Sequence, residues 1–359
     1  MCCKRPLASI EAKAVGTDAT RVGNIRAAGK QAEISVRIAV IGNAGSWYCA
    51  ALEQAAQSRR CDVLRVDFRD IQTADCLSDT PAVSVPSVDL TRVDAVVVRT
   101  MPPGSLEQVV YRMDALAQLE SRGVLVLNSA KAIECAVDKY LTTTRLRAAG
   151  LPVPATGVCQ SAAAAMGLFE RLGGDVVVKP LFGAEGRGLM RVSDVDLADR
   201  VFRTLERLQA VIYLQEFVDH GGSDIRVLVW GNDVLGGMRR VCRQGFRTNI
   251  SQQGTAQPHR PTDEEIQLAC RAAATTFTRF AGVDLMYDAD GRCVVVEVNA
   301  VPGWRMFERV TGDDVAGQVI DRLRAECNSA VGSQSSVSPP IGRPHQEIVN
   351  DRSGPSDAD

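Results

Sequence analysis

The sequence predicts an α/β (α+β) protein whose first third is a Rossmann-like parallel sheet, and three observations support this. Between 34 and 128, short apolar runs alternate with segments of helical spacing, the pattern of a parallel sheet covered by helices. From 175 to 241, strand-like runs are joined by glycine-rich turns instead. The stretch GVDLMYDADGRCVVVEVNA (282–300) reads as a hairpin with acids set into its apolar strands.

Residues 1–33 are rich in Ala, Gly and charge with little periodicity, and are expected to be a disordered leader. ISVRIAVIGNAG (34–45) is an apolar strand ending in a turn, WYCAALEQAAQSRR (47–60) has helical spacing, and CDVLRVDF (61–68) is a second strand. VDAVVVRT (93–100), SLEQVVYRMDALAQLESRG (105–123) and VLVLN (124–128) repeat the unit as strand, helix, strand. Gly42-Asn43-Ala44-Gly45 falls short of a dinucleotide fingerprint and reads as a tight strand-to-helix turn. Residues 129–150 are two helical pieces stopped by Gly150, and LPVPAT (151–156) is a linker held extended by two prolines.

DVVVKPLFGAEGRGLMRVS (175–193) is strand, glycine loop, strand, and LADRVFRTLERLQA (197–210) is a helix. VIYLQEFV (211–218) is a strand, and 223–241 is a hairpin turning at Gly231-Asn232-Asp233. FRTNISQQGTA (246–256) is a polar loop. Thr262 or Asp263 caps a helix through Phe280, with apolar positions at 266, 269, 270, 273 and 277. A last helix covers 312–327, and the Ser-, Pro- and Gly-rich residues 328–359 are expected to be a disordered tail.

The 282–300 hairpin holds the most specific chemistry. With Asp290-Gly291 as a two-residue turn, residues facing each other have numbers that sum to 581, so Asp284 faces Glu297. Asn299 lies two residues on, on the same face. Two carboxylates directly opposite each other repel. A hard divalent cation would remove the repulsion, and carboxylate and amide oxygens suit Mg²⁺ or Mn²⁺.

Composition excludes several alternatives. Net charge is −2, so no global basic field attracts nucleic acid. No apolar run reaches the length of a membrane span, and the start lacks a signal-peptide core. The 11 cysteines include no Cys-x-x-Cys pair and read as reduced thiols of a cytoplasmic protein. Three histidines leave no room for a His-rich metal site. Lysine occurs only at 4, 13, 30, 131, 139 and 179 in an arginine-dominated chain, so Lys139 and Lys179 suggest places that need a compact charge.

Lys179 ends a buried strand and precedes Gly183, Gly186 and Gly188, whose backbone could fold over an anion. Taken alone, that loop is equally a plain hairpin connection. Glu216-Phe217 could read an adenine edge and Asp224 could hold ribose hydroxyls, or the segment is an ordinary strand end. Arg226, Arg239, Arg240 and Arg247 lie along the strands leading to the acidic hairpin, and could serve anionic substrates or form a solvated sheet edge.

The order Lys139, Lys179 with its glycine loop, Gln215-Glu216-Phe217, Asp224-Ile-Arg226, Arg247-Thr-Asn249, Asp284, Glu297-Val-Asn299 resembles that of the ATP-grasp carboxylate–amine ligases, the RimK-type α-L-glutamate ligases above all. GSDIRVLVWG, FRTNISQQG, GVDLMYD and EVNAVPG carry the likeness, which covers roughly 35–325. The resemblance implies an ATP-grasp fold: a preATP-grasp domain (34–128), linker helices and a central lid (129–210), and a C-terminal subdomain with the metal site (211–327). It implies Lys139 and Lys179 on ATP phosphates, under a loop containing Gly186. Glu216 and Phe217 would bind adenine, with Phe where Tyr is common, and Asp224 the ribose. Arg247, Thr248 and Asn249 would lie near the phosphates and the reacting carboxylate. Asp284, Glu297 and Asn299 would hold two Mg²⁺ or Mn²⁺ ions.

The function implied is amide ligation through an acyl phosphate, with Arg226 or Arg247 stabilising the oxyanion. The expected partners are L-glutamate and a small-molecule or peptide carboxylate acceptor, with homo-oligomerisation left open. A pterin-like coenzyme of the tetrahydromethanopterin kind is the expected acceptor. The alternatives are a ribosomal or carrier protein C-terminus, and a nucleotide-binding regulatory module without turnover.

Overall fold

The structure, a computed structural model, describes residues 35–74, 80–86, 88–183, 188–242 and 255–334. The N-terminal region is the expected parallel sheet. β1 (Arg37–Ile41), α1 (Trp47–Ser58), β2 (Asp62–Val66), β6 (Ala95–Val98), α2 (Leu106–Ser121) and β7 (Leu125–Leu127) give the order β2-β1-β6-β7, all parallel. β1 and β6 are buried almost throughout because neighbours flank them and helices cover the sheet. α2 starts on a capping box between Ser105 and Gln108. A small antiparallel sheet, β3 (Gln72–Thr73), β4 (Val83–Val85) and β5 (Val88–Asp89), was not expected, since strands of two or three residues leave no periodic signal.

α3 (Ala130–Val137) and α4 (Lys139–Ala148) are the two helical pieces, and Gly150 stops the second in a left-handed conformation at φ +71°. A second sheet follows. β8 (Thr156–Cys159), β9 (Val176–Lys179), β10 (Met190–Val192) and β11 (Ile212–Glu216) pair antiparallel in the order β10-β9-β11-β8. α5 (Ala162–Arg171) and α6 (Val195–Arg207) pack on it through Phe169 and Phe202, edge to face at 6.2 Å.

The third sheet has five antiparallel strands in the order β14-β13-β12-β15-β16: β12 (Ser223–Trp230), β13 (Asp233–Val241), β14 (Thr255–His259), β15 (Phe280–Tyr287) and β16 (Cys293–Asn299). Thr255 and Ala256, expected in a polar loop, open β14 instead. α7 (Asp263–Thr275) has the expected Thr262 cap but ends short of Phe280, which begins β15. Phe277 takes φ +60°, and the Thr278 amide donates to the Ala273 carbonyl at 2.9 Å, which closes the last turn. The buried face of α7 is Glu265, Leu268, Ala269, Ala272 and Ala273. This is a small-residue stripe offset from the one expected, because the helix lies close against the sheet.

α8 (Arg305–Thr311) and α9 (Val315–Gln334) are the last described elements. α9 passes 328, so the tail expected from there begins inside a helix; 335–359 and the expected leader fall outside the described residues. α9 packs on α1, and Leu52, Val97, Leu228, Trp304 and Leu323 share one core. N-terminal and C-terminal sheets are therefore joined by apolar burial. Asn128, just after β7, fastens them further: its amide donates to the carbonyls of Phe280 and Ala300, both at 2.6 Å, and its oxygen accepts from the Arg279 and Phe280 amides. No helix among the described residues is long and apolar enough to cross a membrane.

Candidate active site

The acidic hairpin forms, by a different route from the one expected. Asp284 does pair with Glu297, and Gly282 with Asn299. At the tip, however, Leu285 pairs with Val295 and Tyr287 with Cys293, one residue out of that register. The turn is a three-residue connection with Gly291 at φ +80°, not a two-residue turn. A bulge at Val296 restores the register. Asp284, Glu297 and Asn299 thus share a face because two departures from the ideal hairpin cancel.

The same face continues across the sheet. Arg226 on β12 lies directly opposite Asp284, and Asp224 lies opposite Arg240 on β13. Arg226 donates to both Asp284 oxygens at 2.7 Å, and Arg240 adds a contact at 2.9 Å. Arg240 also grips Asp224 at 2.6 and 2.5 Å. These are bidentate, charge-assisted pairs, the strong kind. Burial alone would raise the Asp284 pKa, but the guanidiniums of Arg226 and Arg240 outweigh it and hold the carboxyl at about 2.

This corrects one step of the sequence argument. Asp284 does not face Glu297 uncompensated, since two arginines neutralise it and Lys139 stands 3.8 Å from Glu297. Repulsion by itself therefore does not require a metal, and no group of three acidic, His or Cys ligands occurs among the described residues. The donor chemistry still fits a hard cation. Two carboxylates and an amide share one face, and among the described residues Asp284 Oδ1 accepts only the Arg226 Nε–H, which leaves it a lone pair.

The opposite wall of the cleft comes from the central sheet. Lys139, in the first turn of α4, donates to the Gly183 carbonyl at 2.7 Å and so ties that helix to the glycine loop. Lys179, at the end of β9, donates to Gln215, whose amide donates in turn to Thr156 at 3.1 Å. Burial lowers the Lys179 pKa to about 8; Glu297 resists that shift and Lys139 assists it. Both lysines singled out by their rarity line one cleft with Glu216, Phe217, Asp224, Asp284 and Glu297.

Three sequence-picked residues also make contacts within the protein. The Glu216 carboxylate accepts from the Ala155 amide at 2.8 Å, so it secures the linker. The Phe217 ring carries the Arg191 guanidinium 3.4 Å above its centre, and Arg191 is itself held by Asp175. Asp224 is committed to Arg240. Gly186, Arg247, Thr248 and Asn249 lie outside the described residues.

Arg240 is the site residue the sequence underrated. Counting from the Gly231-Asn232 turn puts Arg239 opposite Asp224. A bulge at Leu235, beside Gly236 at φ +148°, shifts the pairing by one and brings in Arg240.

Comparison with known proteins places this architecture. Residues 36–133 match the RimK PreATP-grasp domain, and residues 136–323 match the RimK-like ATP-grasp domain. The chain belongs to the RimK-like ATP-grasp family. The family's curated relatives are named ligases, the enzyme class the sequence suggested. The tetrahydromethanopterin:alpha-L-glutamate ligase of Methanosarcina acetivorans is 37% identical over 56% of this chain and 65% of its own length. A probable alpha-L-glutamate ligase of Picosynechococcus is 33% identical over 83% of this chain and 97% of its own length. A solved structure of the ATP-grasp ligase PsnB, complexed with minimal precursor, Mg and ADP, shares the fold with a TM-score of 0.64. It is 24% identical and covers 81% of this chain and 98% of that one.

Proposed function

We propose that the chain joins L-glutamate to a carboxylate acceptor, converting ATP to ADP and phosphate. The observation that supports this best is the cleft itself: Lys179 at the end of β9 and Lys139 at the start of α4 face a row of acids and arginines on the five-stranded sheet. Nucleotide phosphates suit the lysine wall, and Phe217 with the end of β11 suits the adenine. Asp224, expected on the ribose, would have to share its oxygens with Arg240.

In the reaction, an acceptor carboxylate oxygen attacks the γ-phosphorus, the bond to the β-phosphate oxygen breaks, and ADP leaves. The glutamate amine then attacks the acyl carbon, phosphate leaves with the electrons of the C–O bond, and the amine proton passes to solvent. Lys139 and Lys179 hold the phosphates, and Arg226 or Arg247 faces the developing oxyanion. Asp284, Glu297 and Asn299 would hold Mg²⁺ or Mn²⁺, two ions by the family reading, which offset phosphate charge when bound. The glycine loop with Gly186 keeps water from the acyl phosphate.

For the acceptor we infer a pterin-like coenzyme, supported by the identity to the tetrahydromethanopterin ligase. The mass of the product made from cell extract and labelled glutamate tests this; glutamate found on a protein C-terminus overturns it. For the ligase reading, Glu297→Ala should lower glutamate-dependent ADP release by about 100-fold or more. Full activity in that variant with Mg²⁺ present would remove Glu297 from the metal site.

A further inference from the structure

Arg99 stands at the carboxyl end of β6, one residue past Val98. In the order β2-β1-β6-β7 the chain leaves β1 and β6 in opposite directions, and open α/β sheets bind ligands at such a point. The residue is buried, with 8% of its surface exposed. Its guanidinium lies 4.8 Å over the Tyr48 ring and 4.1 Å over the Trp304 ring, and Nη2 donates to the Pro302 carbonyl at 2.7 Å.

What is missing is a counter-ion. Arg240 is as deeply buried and holds two carboxylates; Arg99 has none among the described residues. Its Nε is buried without an acceptor, and so is Nε1 of Trp304 stacked on it. Burial depresses the Arg99 pKa to about 10, opposed only by Tyr48 and Cys49. A neutral side chain could brace the Pro302 carbonyl without this burden, so the charge is explained by an anion that arrives.

Access and position fit a substrate. Asn43, Ala44 and Gly45, in the turn after β1, are exposed, and Thr100 and Met101 are half-buried. A Cβ at Gly42 would collide with the Cys49 Sγ at 2.3 Å, so glycine lets that turn lie against α1, and the Arg99 Cβ is in ordinary contact range beside it at 3.6 Å. On the inner side, a Cβ at Gly282 would meet Pro302 at 3.0 Å and Arg226 at 3.6 Å. The segment bonded to Arg99 therefore packs beside Arg226, and Arg99 is not part of the lysine-lined nucleotide cleft.

We propose that Arg99 is the anchor of a carboxylate subsite at the carboxyl ends of β1 and β6, for a substrate other than the nucleotide. The assignment to a substrate rests on the ligase reading. The carboxylate belongs either to the amino acid or to the acceptor.

The test uses the full chain and needs no turnover. Trp304 reports on its neighbour, so tryptophan emission is titrated with L-glutamate and with glutarate, which lacks the amine. Both are repeated in Arg99→Lys, Arg99→Met and Trp304→Phe, with ADP binding measured in each. We expect a saturable change in the wild type, absent in Trp304→Phe, and weaker by about tenfold or more in Arg99→Met. Arg99→Lys should be intermediate and ADP affinity unchanged. Saturation by L-glutamate assigns the carboxylate to the amino acid; saturation by glutarate alone assigns it to the acceptor. Equal anion binding in wild type and Arg99→Met, no response in the wild type, or ADP affinity falling together with anion affinity, overturns the subsite. Failure of the ligase reading would show separately, as a wild type that binds the carboxylate but neither binds ADP nor turns over.

Discussion

The two walls of the cleft handle charge in opposite ways. The five-stranded sheet holds the half-buried Arg226 with the buried Arg240, Asp224 and Asp284 in a closed network in which every charge meets its opposite. The central sheet holds the half-buried Lys179 against a neutral glutamine, and desolvation lowers its pKa to about 8. One wall is complete by itself; the other is short of negative charge. The walls differ in support as well. The five-stranded sheet shares cores with the N-terminal region and with α4 and α7, whereas the central sheet packs on its own two helices. On the proposed reading, the wall with its own core and a lysine held by a neutral partner is the one that meets the anionic nucleotide.

The largest test of this contrast is Arg240→Met, which leaves Asp224 and Asp284 buried with one arginine between them. Urea unfolding at pH 7 should give a loss of about 3–5 kcal/mol, and a loss under 1 kcal/mol (about a surface pair's worth) would mean the network is not closed. The wild-type acid limb bears on the same point. Asp284 has a depressed pKa, so its contribution is complete above the ordinary carboxylate range and is lost as pH falls through about 2.

Next in size is Phe202→Ala, expected to cost about 3–4 kcal/mol through the cavity it leaves. Hydrogen exchange should quicken across β8–β11 while β12–β16 stay protected. Uniform acceleration would show that the central sheet has no separate stability.

The smallest effect is expected at Lys179→Met. Nucleotide affinity should drop about tenfold, while thermal stability holds or rises, because a half-buried cation with only a neutral hydrogen-bond partner is removed. In the wild type, nucleotide affinity should weaken as pH rises through about 8, where the ammonium loses its proton. Folding stability should change the other way: the unfolded chain holds that proton longer, so stability rises from about pH 8 towards the ordinary lysine range. A flat affinity profile across pH 7–9 would place the phosphates elsewhere (that window brackets the shifted group).

The parallel sheet, the two linker helices, the 223–241 hairpin and both cleft lysines were legible in the sequence, because period and rarity survive without coordinates. α5 was passed over, and the three short strands were not legible, since strands of two or three residues leave no periodic signal. Phe280 was misplaced because α7 ends on a non-glycine left-handed residue, Phe277, which sequence pattern does not flag.

Local alternation sets which face of a strand is apolar, and composition sets what a cleft can bind. By itself, then, the sequence determined the longer elements, the acids and amide of the hairpin and the two rare lysines. It could not determine register beyond a bulge. A single inserted residue moves every later side chain to a new partner at little local cost, so bulges at Leu235 and Val296 depend on how the sheet packs. The tertiary structure alone decided that Arg240, not Arg239, joins Asp224 to Asp284. It also decided that Arg99 would be buried against two aromatic rings with no acid to meet it among the described residues.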